Sequence, residues 1–136
     1  MKIEFKNIEI KNVLDNWDKI DPKPQYQRTP VWKIDRKKLL IDSIFRGYDL
    51  PKFYLNELKN NAFYEYEVCD GQQRLRTIIE FLNNEFPLGK ETIINNENLN
   101  GKRFNDLSES LKNSFLNYKL TYSVIVDSTH EEIRDL

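Results

Sequence analysis

Five consecutive residues, Asp70-Gly71-Gln72-Gln73-Arg74, place a carboxylate, two primary amides and a guanidinium around one glycine. The aromatic and β-branched run at 63–69 before them reads as a strand, and Leu75, Ile78, Ile79 and Leu82 after them repeat at helical spacing. A polar turn from strand to helix brings unsatisfied backbone N–H groups and the positive end of a helix dipole to one point, which is an anion site. Arg74 adds a planar, permanently charged fork suited to phosphate oxygens. The same letters also spell a capping box, with Asp70 as the N-cap and Gln73 three residues on, whose only effect would be to stabilise the helix. Residue chemistry alone leaves both readings open.

A second polar cluster, Gln25-Tyr26-Gln27-Arg28-Thr29-Pro30-Val31-Trp32, could supply a further phosphate contact through Arg28. Tyr26 or Trp32 could stack on a base, a contact worth about 1–3 kcal/mol. The competing reading is a loop whose aromatics close the edge of the core while Arg28 pairs with a surface carboxylate. Glu65 and Glu67 project to the face opposite Tyr64, Tyr66 and Val68, where they could bind a cation or, in the commoner case, line a solvated sheet face. The single histidine, His130, falls at a helix start, and no His/Cys/carboxylate group has metal-ligand spacing. That excludes a Ser-His-Asp, Cys-His or zinc site built from this sequence alone. With four glycines, a Gly-rich Walker loop is missing as well.

The elements that must position these groups follow from patterning. The chain has 136 residues, 39% hydrophobic and 32% charged, with a net charge of −1. That length describes one domain over 1–136, and that balance gives no global basic field for non-specific nucleic-acid binding. Cys69 stands alone, so no internal disulfide forms, which suits a reducing cytoplasm, and there is no transmembrane run. Ile8, Ile10, Val13, Leu14 and Trp17 mark a strand or turn passing into a helix that ends by Asp21-Pro22. Asp35 is the expected N-cap of a helix carrying Leu39, Leu40, Ile44 and Phe45, with Gly47 as its stop. Residues 52–58 and 64–68 form a hairpin around Lys59-Asn60-Asn61-Ala62. The helix after Arg74 runs to about Asn84, Leu107, Leu111, Phe115 and Tyr118 fit another, and residues 120–126 form a strand. Thr129 and Glu132 make a second capping box, opening a helix that the last residue cuts short.

Taken in order, Tyr26-Gln27-Arg28 with Val31-Trp32, Leu40-Ile41-Asp42-Ser43-Ile44-Phe45-Arg46-Gly47 leading to Leu50-Pro51, and Asp70-Gly71-Gln72-Gln73-Arg74-Leu75 resemble the N-terminal domain of the GmrSD-type, modification-dependent restriction endonucleases. The resemblance spans roughly residues 8–136 and includes Leu99-Asn100-Gly101-Lys102 and Phe104-Asn105-Asp106-Leu107. It implies an α/β (α+β) fold of ParB/sulfiredoxin-like type, a small mixed sheet packed with helices. It also implies a domain that binds and hydrolyses nucleoside triphosphates to regulate or power DNA cleavage in phage defence. In that family cleavage belongs to a separate C-terminal HNH-type nuclease domain, and DNA is met by the full-length protein. The family pattern continues past Leu136, so the expectation is a fragment truncated at its C-terminal end. Carried over residue by residue, Asp70 would orient water or hold Mg²⁺, and Gln72 or Gln73 would position water or a phosphate oxygen. Gly71, Arg74 and Arg28, with Gln27 and Tyr26, would bind the phosphates and nucleotide. The rival implied by the same fold is a non-catalytic DNA-binding or protein-interaction module, for which Arg36-Lys37-Lys38 is the candidate basic patch.

Overall fold

A computed structural model describes residues 2–22 and 31–126 of the chain. Its backbone divides into two compact units, one drawn from 2–22, 51–72 and 119–126 and the other from 31–50 and 73–118. Both mix helix with strand, as the expected α/β (α+β) class requires.

The first unit is a five-stranded mixed sheet in the order β1-β7-β3-β4-β2. Its strands are β1 (Lys2–Glu9), β2 (Ile20–Asp21), β3 (Phe53–Glu57), β4 (Tyr66–Asp70) and β7 (Lys119–Val126), with the short helix α1 (Ile10–Asp15) after β1. Antiparallel pairs β1–β7 and β3–β4 alternate with parallel pairs β3–β7 and β2–β4. The β3–β4 hairpin matches its sequence signature. Asn60 takes a positive φ of 59°, and the Asn61 side-chain oxygen accepts the backbone N–H groups of Phe63 and Tyr64 at 2.8 Å each. This Asx turn holds the chain off the sheet until Tyr66, three residues later than the aromatic run suggests.

Register partners share a face. Phe53, Leu55, Val68 and Val124 form one buried apolar face, whereas Tyr54, Asn56, Glu67, Ser123 and Ile125 occupy the other. Glu67 therefore departs from expectation. It is only 6% exposed, and its carboxylate accepts a hydrogen bond from the equally buried Asn56 amide at 3.0 Å. Asn56, Cys69, Ser123 and Ile125 on the same face are buried too, so alternation along β4 carries Glu67 to a second covered face rather than to water. Glu65, just before the strand, is exposed as expected.

The second unit holds α2 (Ile34–Phe45), most of α3 (Gln72–Leu82), a small hairpin of β5 (Ile93–Ile94) and β6 (Glu97–Asn98), and α4 (Glu109–Leu116). The β5–β6 turn runs through Asn95 and Asn96, both at positive φ, as a two-residue hairpin needs. Phe45, Phe81, Phe86, Phe104 and Phe115 interlock, with Phe81 meeting the other four at ring-centre distances of 5.4–6.2 Å. Ser108 caps α4, its hydroxyl accepting the Leu111 N–H. Gly47, at φ 73°, ends α2 as anticipated. Asp35 is not the N-cap of α2: Lys33 is, and Asp35 sits inside the first turn, where it complements the dipole instead. Leu39, assigned to the apolar stripe, is 55% exposed because Leu40, Ile41 and Ile44 already fill the buried side.

Candidate functional site at the strand-to-helix turn

β4 ends at Asp70, Gly71 follows at φ 100°, and α3 begins at Gln72. That φ lies in the half of backbone space open to glycine, so one residue switches the backbone from strand to helix without a linker. Asp70 is exposed at the strand end, Gly71, Gln72 and Gln73 are buried, and Arg74 is half-buried. Since the first helical residue is Gln72, Gly71 rather than Asp70 takes the cap position, and the Asp70/Gln73 capping box falls out of register by one residue.

The two adjacent amides diverge. Gln72 Nε2 donates back to the carbonyls of Val68 (3.0 Å) and Cys69 (3.3 Å), bracing the turn on the strand that precedes it. Gln73 Oε1 accepts the backbone N–H of Trp32 at 3.2 Å, which fixes the amide and leaves Nε2 as a buried donor. Gln73 is 5% exposed, and among the described residues its Nε2 has no hydrogen-bond partner. The Gln73 carbonyl accepts the Thr77 hydroxyl at 2.6 Å. Trp32 itself is half-buried, with the Arg36 guanidinium 4.5 Å from its ring centre.

The other sequence-derived candidates fare differently. Tyr26, Gln27 and Arg28 lie outside the described residues, as do Thr129, His130 and Glu132. Arg36-Lys37-Lys38 does not form one basic face. Consecutive helical residues project about 100° apart, and each cation has its own setting. Arg36 stacks on Trp32, Lys37 pairs with Glu80 at 2.8 Å, and Lys38 lines an open groove of about 560 Å³ beside Asp35, Gly89, Lys90 and Glu91. None of the Asp70–Arg74 residues lines that groove. Sequence reasoning missed the buried pair Asn56–Glu67 altogether; its signal was an amide and an acid in facing strands, visible only once register is known. Among the described residues no cluster of three or more His, Cys, Asp or Glu could hold a metal, and no helix is long and apolar enough to cross a membrane.

The described residues thus form a mixed α/β domain with a glycine-hinged turn from strand to helix that carries Asp70, Gln72, Gln73 and Arg74. The family model of the GmrSD restriction endonuclease N-terminal domain matches residues 10–135, and the chain belongs to that family. It is thereby a restriction-system component. Neither a curated protein nor a solved structure matches the chain.

Proposed function

We propose that this chain is the nucleoside-triphosphate-binding and -hydrolysing regulatory domain of a modification-dependent restriction system that serves phage defence. The observation that supports it most directly is the turn itself, with Gly71 at φ 100°, an eleven-residue helix starting one residue on, and Asp70 exposed beside that start. The first-turn N–H groups and the dipole of α3 receive phosphate oxygens, and Arg74, with Arg28, neutralises them. The absence of a side chain at Gly71 lets the backbone approach the ligand. Of the two glutamines, Gln73 is the one with an uncommitted donor, so Gln73 orients the attacking water or a phosphate oxygen while Gln72 holds the turn in shape. Asp70 orients that water or holds Mg²⁺. This is phosphoryl transfer by positioning and charge stabilisation.

Mg²⁺ is part of this reading. A lone exposed carboxylate fits Mg²⁺, which is commonly held by one or two carboxylates plus phosphate oxygens and waters. Asp70 would hold it, and the ion would supply charge neutralisation on the phosphates. DNA enters through the full-length protein, and cleavage through a C-terminal HNH-type nuclease domain or subunit. The ParB/sulfiredoxin-like assignment and a cytoplasmic setting complete the proposal.

The test is calorimetric binding of each nucleoside triphosphate with Mg²⁺, together with phosphate release, for the wild type, Asp70→Ala and Arg74→Ala. Removing one positioned group at such a site is expected to lower turnover by about 10²–10³-fold. Loss of the Arg74 charge-assisted bonds, worth about 1.5–3 kcal/mol, weakens binding by roughly 10–100-fold. A wild type that binds no triphosphate at millimolar concentration refutes the proposal. So do variants that lose only melting temperature.

A further inference from the structure

The five-stranded sheet has two edges, and they differ in kind. β2 closes one of them with two residues, a length that offers little to a foreign strand. β1 forms the other and runs for eight residues, Lys2–Glu9, in unbroken antiparallel register with β7. It contains neither proline nor glycine. Its inner side is committed to β7, and among the described residues no strand pairs with its outer side. Every second residue of β1 therefore turns an N–H and a C=O outward along the edge. Lys2 to Asn7 are exposed without a break, so both faces of the strand are open.

The side chains along this edge complement themselves. Ile3, Phe5 and Asn7 share a face with Ile125, Ser123 and Thr121, their partners on β7, and Asn7 Oδ1 accepts the Thr121 hydroxyl at 2.9 Å. Phe5 is 67% exposed there, with the Lys52 ammonium 4.5 Å from its ring centre. Lys2, Glu4 and Lys6 lie on the opposite face. Glu4 and Lys6 meet loosely at 3.8 Å with both side chains largely in water, an ion pair that holds little by itself.

Two copies of β1 can meet antiparallel about a two-fold axis, so that each contact occurs twice. Outward-facing backbone groups meet only when the axis passes at a residue rather than between two. Centred on Glu4, that residue opposes itself and Lys2 opposes Lys6; centred on Lys6, two ammonium groups oppose each other. Centred on Phe5, Glu4 of each copy faces Lys6 of the other, and the two Phe5 rings meet on the second face. Opposite charges and aromatic pairs directly across a ladder favour pairing, and like charges oppose it. The charge pattern thus selects one register, over residues 2–8 of both strands.

We infer that β1 is a docking edge for a second copy of this chain, the two strands pairing antiparallel with Phe5 at the two-fold axis and joining two sheets into one. The assembly closes at the dimer, because each copy spends its one long edge and leaves β2 outside. It is independent of the nucleotide reading above.

Sedimentation equilibrium on the full chain, from micromolar to millimolar concentration, tests this for the wild type, Glu4→Lys, Lys6→Glu and the double exchange. Circular dichroism at the dilute end establishes that each variant folds. The wild type is expected to dimerise as concentration rises. Each single substitution opposes like charges twice across the axis and should weaken the dimer about tenfold or more. The double exchange restores opposite charges and with them wild-type affinity. A one-to-one mixture of the two single variants does the same, since each brings the charge that the other lacks. A wild type that stays monomeric at millimolar concentration overturns the proposal, even if the edge takes a strand from another protein. Single variants that dimerise as the wild type does also overturn it, and so does mass that grows past the dimer.

Discussion

Gly71→Ala separates backbone geometry from ligand chemistry, provided that it is read against Gly47→Ala. Both glycines sit at positive φ, 100° for Gly71 and 73° for Gly47. At Gly47 an added Cβ meets nothing within 4 Å, so the substitution carries only the left-handed backbone cost, about 1–2 kcal/mol. Gly71 lies farther from the left-handed well, beyond what even asparagine adopts comfortably, and it is buried. The Gln72 brace onto the Val68 and Cys69 carbonyls also keeps the turn from relaxing. A cost of about 2–3 kcal/mol follows for Gly71→Ala. At roughly 3 °C per kcal/mol for a chain of this size, melting falls by about 6–9 °C for Gly71→Ala and about 3–6 °C for Gly47→Ala. Thermal unfolding by circular dichroism reads that difference, and calorimetry with a nucleoside triphosphate reads the rest. Triphosphate affinity should drop at least tenfold in Gly71→Ala, worth about 1.4 kcal/mol, and stay unchanged in Gly47→Ala. Equal melting shifts with wild-type binding in both variants would refute the reasoning.

Three further outcomes follow from the packing. Asn56→Ala should destabilise by about 1.5–3 kcal/mol, because it strips a donor from the buried Glu67 carboxylate. In a double-mutant cycle with Glu67→Gln, urea unfolding should show a coupling of about 1 kcal/mol, and additivity would dissolve the pair. Phe81→Ala removes the ring that four other phenylalanines meet, and a loss of about 3–5 kcal/mol in urea unfolding is expected; a loss under about 1 kcal/mol would mean that the cluster is not a packed core. The phenols of Tyr118 and Tyr122 are held above their ordinary range, chiefly by burial, with Asp49 adding to the effect at Tyr118 and Lys6 opposing it at Tyr122. The unfolded chain ionises these groups first as pH passes 10, so the folded state binds more protons there and stability falls with rising pH above that point. Ultraviolet titration should show two tyrosines ionising late, and Tyr118→Phe should soften the alkaline loss; coincident ionisation of every tyrosine would contradict it.

The sequence made the elements legible where local chemistry decides them. The β3–β4 hairpin, the Gly47 stop and the helices over Leu75–Leu82 and Leu111–Phe115 rest on periodicity and turn residues that act within a few positions. Burial of Glu67 was not legible, since alternation in one strand cannot say whether the second face of the sheet is covered. The N-cap of α2 shifted from Asp35 to Lys33 for a related reason. A good capping residue inside the first turn serves the dipole nearly as well, so local preference does not fix the boundary to a single residue.

The two glutamines carry this point to the site itself. Gln72 and Gln73 are the same residue type at consecutive positions, and nothing in composition or spacing ranks one over the other. About 100° of helical rotation separates their side chains. One lies back over the strand it leaves, where the carbonyls of Val68 and Cys69 are waiting acceptors. The other turns toward the start of α2, where a backbone N–H takes its oxygen and leaves its nitrogen as the donor. The division of labour is thus fixed by what stands beside each residue. It also explains why a capping box and an anion cradle looked interchangeable in the letters: both need a polar turn before a helix. They differ in where the helix begins. Starting at Gln72 leaves Asp70 outside the helix and exposed, one residue before the cap position.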